Sequence, residues 1–284
     1  MSKIAIIHKK QAPAALEQAQ ELKKWLARRD RAAYLSASPP SQLGPEGAKA
    51  PPLAPDTGLV VVLGGDGTML AAVRAVAQAG LWESPILGVN LGGLGYLTAL
   101  APEELYPALE LVLAGDFQAP PRMMLKARVE RQGRELRSLW ALNDVVLNKA
   151  AMSPIMDIIT RVDGHPLTTL RADGLIVASP TGSTAYNLSA GGPICHPDLN
   201  CILVTPICSF ALSNRPLLLS PQLTLELRLG QDTQHTTLTC DGQVGLEISS
   251  QDRVTVQRAA ESVRIINSPF RDYFEILRTK LRWG

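Results

Sequence analysis

The residues best suited to chemistry lie in a five-residue run, Gly64-Gly65-Asp66-Gly67-Thr68. Glycines of this kind let phosphate oxygens approach backbone N–H groups, and a helix starting beyond them adds unpaired donors and the positive end of its dipole. The run lacks the Lys-Ser or Lys-Thr of a Walker A loop. Nor does it complete a GxGxxG dinucleotide fingerprint, because Gly67 is followed by Thr68-Met69-Leu70. Asp66 is its informative member. A carboxylate among phosphate-cradling glycines repels the ligand unless it has its own task, such as taking the proton from an attacking hydroxyl. The competing reading is that Asp66 only caps the helix while the glycines make the turn.

Two further stretches carry groups suited to a hydroxylated ligand. Asn143-Asp144, read as lying late in a strand, offers donors and acceptors to adjacent hydroxyls or to an amino-substituted base. The same dipeptide is ordinary turn chemistry. From Arg171 through Asp173-Gly174 to Thr181-Gly182-Ser183-Thr184-Ala185-Tyr186 the chain reads as strand, hydroxyl-rich loop and helix start. Gly182 is expected to permit close backbone approach, which suits a nucleotide or polyol; a hydroxyl-rich capping loop is the alternative. Cys195, Cys201, Cys208 and Cys240 form no CxxC pair and the histidines are scattered, so free thiols and no dedicated metal site are expected.

These groups need elements to position them. Lys3 to Ile7 reads as a strand, and Ala14 to Arg29 as an amphipathic helix with Leu16, Ala19, Leu22, Trp25 and Leu26 on one face. The prolines between Pro39 and Pro55 make that stretch a loop, since proline lacks an amide donor and fixes φ. Leu59 to Leu63 reads as a strand buried on both faces, leading through the glycine run into a helix from Met69 to Ala79 closed by Gly80. Ile86 to Val89 follows as a strand and Pro102 to Ala114 as a helix ended by Gly115. This alternation means an open α/β sheet.

Beyond Pro120-Pro121 the period becomes two. Leu125, Ala127 and Val129 alternate with polar residues, and a turn at Gln132-Gly133 leads into a second strand running toward Leu147. Asp163-Gly164, Gly230 and Asp241-Gly242 punctuate further β runs, among them Leu223 to Leu229 and Val254 to Gln257. Tyr273 to Leu281 returns to helix spacing through Phe274, Leu277 and Leu281, and is too short to fold undocked. The expectation is an α/β N-terminal domain over residues 1–118 carrying the phosphate loop, a predominantly β domain over 119–266, and a tail, 267–284, docking back on the first.

Composition removes several classes. Hydrophobic residues are 46% and charged residues 19% of the 284, ordinary globular usage, which argues against wholesale disorder. A net charge of +2, without blocks of like charge, gives no footprint for nucleic acid. No apolar run approaches the ~18 residues of a membrane helix, and Met1-Ser2-Lys3-Ile4 leads straight into a strand without a signal-peptide pattern. A cytoplasmic location, away from membranes, is expected.

Taken together, Gly64 to Thr68, Asn143-Asp144, the block from Asp173-Gly174-Leu175 to Ser189-Ala190-Gly191-Gly192-Pro193, and Leu212-Ser213-Asn214-Arg215-Pro216 resemble the NAD kinase family. Asn90 to Thr98 and Tyr273 to Gly284 are similar to it as well, so the likeness spans the chain in order. The glycine run alone is shared with diacylglycerol and sphingosine kinases and phosphofructokinases; the Asp173 to Pro193 block is far more specific.

The resemblance implies phosphorylation of NAD by ATP at the 2′-hydroxyl of the adenosine ribose, with Mg²⁺ arriving on the nucleotide. By the same likeness Asp66 is the base, Gly67 contacts the dinucleotide, and Gly64, Gly65, Gly67 and Thr68 face the donor phosphates. Asn143 and Asp144 match an Asn-Glu pair holding NAD, with Asp144 one methylene shorter than the usual residue. Arg171, Asp173, Gln243 and the segment Thr184, Ala185, Tyr186, Asn187, Leu188 and Ser189 match dinucleotide contacts, and Tyr96 takes the place of a phenylalanine at the pocket's edge. Inorganic polyphosphate is the alternative donor, and a homodimer or homotetramer the expected assembly. The rival readings are a lipid kinase of the same superfamily, a non-catalytic NAD-binding protein, and an oxidoreductase, the last disfavoured by the missing GxGxxG.

Overall fold

Residues 2–38, 50–150, 153–211, 213–231, 233 and 235–283 are described by a computed structural model. They divide into two units, one running to Pro121 and resuming at Val263, the other spanning Arg122 to Ser262.

The first unit begins β1 (Lys3–Lys9), α1 (Pro13–Ala27), β2 (Ala33–Ser38), β3 (Thr57–Leu63), α2 (Asp66–Ala79) and β4 (Ile86–Val89). A short 3₁₀ turn at Pro102–Glu104 then enters α3 (Leu105–Ala114). The four strands form a parallel sheet in the order β2-β1-β3-β4. Ile4, Ile6, Val61 and Leu63 face Leu22 and Leu26 of α1 and Leu109 of α3. Ala5, Ile7, Val60 and Val62 alternate to the other side and are equally buried, which is why β3 reads as a continuous apolar run. The chain leaves β1 toward β2 on one side and β3 toward β4 on the other, so the order reverses between β1 and β3. Ligands of open α/β sheets bind beyond the strand ends at such a point, and the glycine run follows β3 there.

The second unit contains β5 (Pro121–Arg131), β6 (Arg134–Ala141), β7 (Asp144–Lys149), β8 (Met156–Val162), β9 (His165–Ala172) and β10 (Gly174–Ala178). A 3₁₀ turn (Thr181–Thr184) leads to the one-turn α4 (Tyr186–Ser189). Then come β11 (Ile202–Ile207), β12 (Leu217–Leu219), β13 (Leu225–Leu229), β14 (Thr236–Cys240), β15 (Val244–Ile248) and β16 (Asp252–Arg264). Two six-stranded sheets, β12-β11-β10-β7-β14-β15 and β6-β5-β16-β13-β8-β9, enclose one apolar core that includes Leu125, Val145, Leu147, Val177, Leu227 and Val256. Each expected X-Gly turn has positive φ at both residues: 52° and 77° at Gln132-Gly133, 47° and 80° at Asp163-Gly164, 53° and 60° at Asp241-Gly242. Such turns match the twist of antiparallel strands.

The tail helix α5 (Tyr273–Leu281) belongs to the first unit. Asp272 caps it by accepting the Glu275 N–H at 2.7 Å, Ile276 and Leu277 are buried, and Arg271 pairs with Glu104 at 2.6 Å. Among the described residues no helix is long and apolar enough to cross a membrane.

The structure corrects several expectations. The second helix starts at Asp66 rather than Met69. The strand expected to run on toward Leu147 breaks at residues 142–143, so Asp144 opens β7 in the other sheet. Strand β2 lacks an apolar pattern: Ser36 and Ser38 take inward positions, and the Ser36 hydroxyl donates to the Pro52 carbonyl. Leu16 and Phe274 are exposed, because the stripes α1 and α5 bury run through Ala15, Ala19, Leu22 and Leu26 and through Ile276 and Leu277. Most of the Pro39 to Pro55 loop, with Leu212 and Gly284 of the family-like motifs, lies outside the described residues.

Candidate active site

In the first unit the three glycines after β3 have different duties. A Cβ on Gly64 would lie 2.5 Å from the Thr68 hydroxyl, so this glycine makes room for a buried threonine. Gly65, the N-cap of α2, has nothing within 4 Å of where its Cβ would be, so the space on that side of its backbone is open. Gly67 is exposed in the first turn.

Asp66 does not cap the helix with its side chain. Its carboxylate turns to residues 96–98: Oδ1 accepts from Leu97 N–H (3.1 Å), Thr98 N–H (3.0 Å) and the Thr98 hydroxyl (2.9 Å), and Oδ2 from Tyr96 N–H (2.9 Å). An ionised carboxylate offers about four lone-pair sites. Oδ1 is filled, while Oδ2 keeps one position open among the described residues. Gly95 must be glycine, since a Cβ there would sit 2.2 Å from Asp66 Oδ1. The Tyr96 phenol is pushed above its usual range by burial and then by the Asp66 charge, and Lys280 of α5 lies 5.5 Å over its ring.

In the second unit the site is built on the break between β6 and β7. Asp241, in the turn after β14, accepts three backbone N–H groups: Leu142 (2.9 Å), Asn143 (2.7 Å) and Asp144 (3.1 Å). From the other side the Ser179 hydroxyl bonds the Leu142 carbonyl and Ser179 N–H the Asn143 carbonyl. Gly182 packs directly on that segment, its Cβ position 2.0 Å from Asn143 O. The expectation that Gly182 admits a ligand is therefore corrected: the backbone it admits is that of Asn143.

So anchored, Asn143 and Asp144 line a cavity of about 470 Å³ with Ala185, Tyr186, Lys149, Thr237, Thr239 and Asp241. Register explains the lining, because Thr239 and Thr237 stand opposite Val146 and Asn148 and share their face. Asp144 is only 4% exposed; burial, then the Asp241 charge, push its carboxyl up to about 7. Asn143 Oδ1 and the Thr181 hydroxyl are buried without a partner among the described residues. Unsatisfied buried groups cost about 1–3 kcal/mol each.

Not every expected residue reaches this cavity. Asn187 is fully buried, its amide spent on the Ser183 and Pro193 carbonyls and the Thr205 hydroxyl. Thr184, Leu188, Ser189 and the buried Gln243 do not line it. Arg171 pairs with Asp157 at 3.3 Å and stacks over Phe210. Asp173 lies 3.6 Å from the ammonium of Lys149, which does line the cavity. Conversely, Thr98, Lys149 and Asp241 belong to these sites, and nothing in the sequence alone marks them as site residues. Asp241 was visible only as a turn residue, and Thr98 only as the end of a motif.

Comparison with known proteins bears on both units. The model of the ATP-NAD kinase N-terminal domain matches residues 53–117, and that of the ATP-NAD kinase C-terminal domain residues 142–268. The chain is 48% identical to the NAD kinase of Citrifermentans bemidjiense over 289 residues, covering 100% of this chain and 99% of the relative. It is 44% identical to that of Syntrophobacter fumaroxidans over 284 residues, with the same coverage. In fold it resembles a yeast NADH kinase complexed with NADH (TM-score 0.80, 24% identity, 100% of this chain and 88% of that one). It also resembles an NAD kinase from Archaeoglobus fulgidus in complex with ATP (TM-score 0.76, 24% identity, 99% and 98%).

Proposed function

The chain belongs to the NAD kinase family, and on that premise we propose that it transfers the γ-phosphoryl group of ATP to the 2′-hydroxyl of the adenosine ribose of NAD, giving NADP and ADP. The observation that carries the reading is the carboxylate of Asp66, held by four donors beside an open glycine backbone at the head of a helix. Phosphoryl transfer asks the protein for positioning and charge neutralisation rather than a covalent nucleophile. Phosphate oxygens would lie along Gly65 and Gly67 at the N-terminus of α2. Asp66 Oδ2 takes the hydroxyl proton as the oxygen attacks the γ-phosphorus; the bond to the β-phosphate oxygen breaks, ADP leaves, and the proton passes to solvent.

The β-rich unit is the proposed holder of NAD. Asn143 and Asp144 would grip ribose hydroxyls, and Tyr186 would pack on the dinucleotide. Arg171, Asp173, Gln243 and the rest of Thr184 to Ser189 are assigned to the same role by resemblance; the inward amide of Asn187 gives it the part of shaping α4. Among the described residues no three His, Cys, Asp or Glu side chains cluster as a metal cage. Mg²⁺ would come as the ATP complex, held by phosphate oxygens and waters, as this ion usually is. Self-association into a homodimer or homotetramer belongs to the same reading, and the exposed Phe210, Leu217 and Leu218 are in keeping with it.

A lipid acceptor and a non-catalytic role are not favoured, since the full-length relatives are NAD kinases and Asp66 is intact. The test is to incubate the protein with Mg²⁺ and labelled ATP or polyphosphate, offering NAD or diacylglycerol. Label in NADP from ATP supports the reading; label in the lipid, or in nothing, overturns it.

A further inference from the structure

One of the four donors to Asp66 is a side chain, and it has a side chain behind it. Thr98 is completely buried and Asn90 is 9% exposed. The Asn90 amide donates to Thr98 Oγ1 at 2.8 Å, and Thr98 Oγ1 lies 2.9 Å from Asp66 Oδ1. The direction of this relay is fixed at both ends. Gly92 N–H donates to Asn90 Oδ1 at 2.9 Å, which turns the amide nitrogen toward Thr98. An amide NH₂ only donates and a carboxylate only accepts, so the single proton of the Thr98 hydroxyl must point at Asp66. With Leu97 and Thr98 N–H on the same oxygen, the relay leaves Oδ2 as the atom able to accept a further proton.

We propose that Thr98, backed by Asn90, is a positioning residue that holds the Asp66 carboxylate with Oδ1 occupied and Oδ2 presented to the acceptor hydroxyl. This rests on Asp66 being the base, as proposed above. Triads follow the same logic: a base is useful when a further group fixes its orientation. Misplacement by about 1 Å can cost on the order of 10²-fold in rate.

The test is steady-state kinetics of the full chain with ATP and NAD. Thr98→Val removes the hydroxyl at nearly constant shape, and kcat should fall about 10–100-fold while KM for NAD stays within about twofold. Thr98→Ser keeps the hydroxyl and should stay within about threefold of wild type. In an Asp66→Asn background, Thr98→Val should cost almost nothing more, because residues acting as a unit are non-additive. A purely structural threonine would instead cost the same in both backgrounds. Should Thr98→Val not fold, Asn90→Ala removes only the donor behind the hydroxyl, and should lower kcat several-fold at constant KM. The proposal is overturned if wild type is active and a folded Thr98→Val or Asn90→Ala variant keeps full kcat, if serine does not rescue, or if the Thr98→Val loss persists in the Asp66→Asn background. A wild-type chain that leaves NAD unphosphorylated defeats the functional reading instead.

Discussion

Replacing Asp66 by asparagine keeps the size of the side chain and removes its ability to take a proton. General-base contributions run about 10²–10⁴-fold, so kcat of Asp66→Asn should fall on that order with little change in NAD affinity; near-normal kcat would take Asp66 out of the mechanism. Asp144 is expected to act through binding. Its carboxyl, pushed up to about 7 by burial and by Asp241, shares its cavity with Lys149 and Tyr186. A pKa above that of an exposed carboxylate means that between about pH 4 and 7 the folded chain holds a proton the unfolded chain has lost, so this group's contribution to stability declines as pH rises through that window. Asp144→Asn should therefore raise Tm relative to wild type more at pH 8 than at pH 5; an equal shift at both would contradict the assignment. Binding has the opposite sign, since ribose hydroxyls donate best to the ionised form. At pH 8, Asp144→Ala should weaken NAD binding by about 1.5–3 kcal/mol, measured by calorimetry. Asp66 was legible in the sequence because a carboxylate is out of place in a phosphate loop. Thr98 and Asp241 were not, because the groups they hold lie 32 and 97–99 residues away.

Strong local patterns locate most elements: β1, β3, β4, α2 and α3 stand where apolar runs, glycine stops and proline starts put them, except that α2 starts three residues early, at Asp66, and the first turn before α3, Pro102–Glu104, is 3₁₀. The misses have a common physical cause, in that tertiary partners decided them. Strand β2, at the edge of its sheet, carries inward polar residues, one of which, Ser36, is satisfied by donating to the Pro52 carbonyl. The break at 142–143 is made by Asp241 and Ser179, not by a turn residue in the break itself. The loop at 95–98 is another element set by its partners. Gly95→Ala would push a methyl group between Asp66 Oδ1 and Thr98 Oγ1, 2.2 and 2.3 Å from its Cβ position. A kcat loss on the order of 10²-fold should follow at a modest cost in Tm; full activity would mean the loop tolerates displacement. Helix α5 is held by Ile276 and Leu277, so Leu277→Ala should lower unfolding free energy by about 2–5 kcal/mol in denaturant titration. A change under about 0.5 kcal/mol, the range for surface positions, would mean α5 is not packed as described.

At the scale of the whole chain, the change of hydrophobic period after Pro120-Pro121 announced two kinds of architecture, and the α/β and β-rich units follow it. Pattern alone could not say that the β-rich part is two six-stranded sheets, since strand order depends on contacts between distant segments. Nor could it name the reaction; the family did. In the proposed reaction the acceptor atom is the 2′-oxygen of the adenosine ribose. In-line transfer needs that oxygen within about 3–3.5 Å of the γ-phosphorus and within hydrogen-bond reach of Asp66, and only one hydroxyl of NAD has to meet both conditions. The most direct measurement is phosphorus NMR of the product formed from NAD and ATP–Mg²⁺, run beside the NAD analogue lacking the 2′-hydroxyl. NAD should give a monoester at the adenosine 2′-position, and the analogue none although it still binds. Phosphate on a 3′-hydroxyl or on the nicotinamide ribose, or any phosphorylation of the analogue, would contradict the proposed reaction.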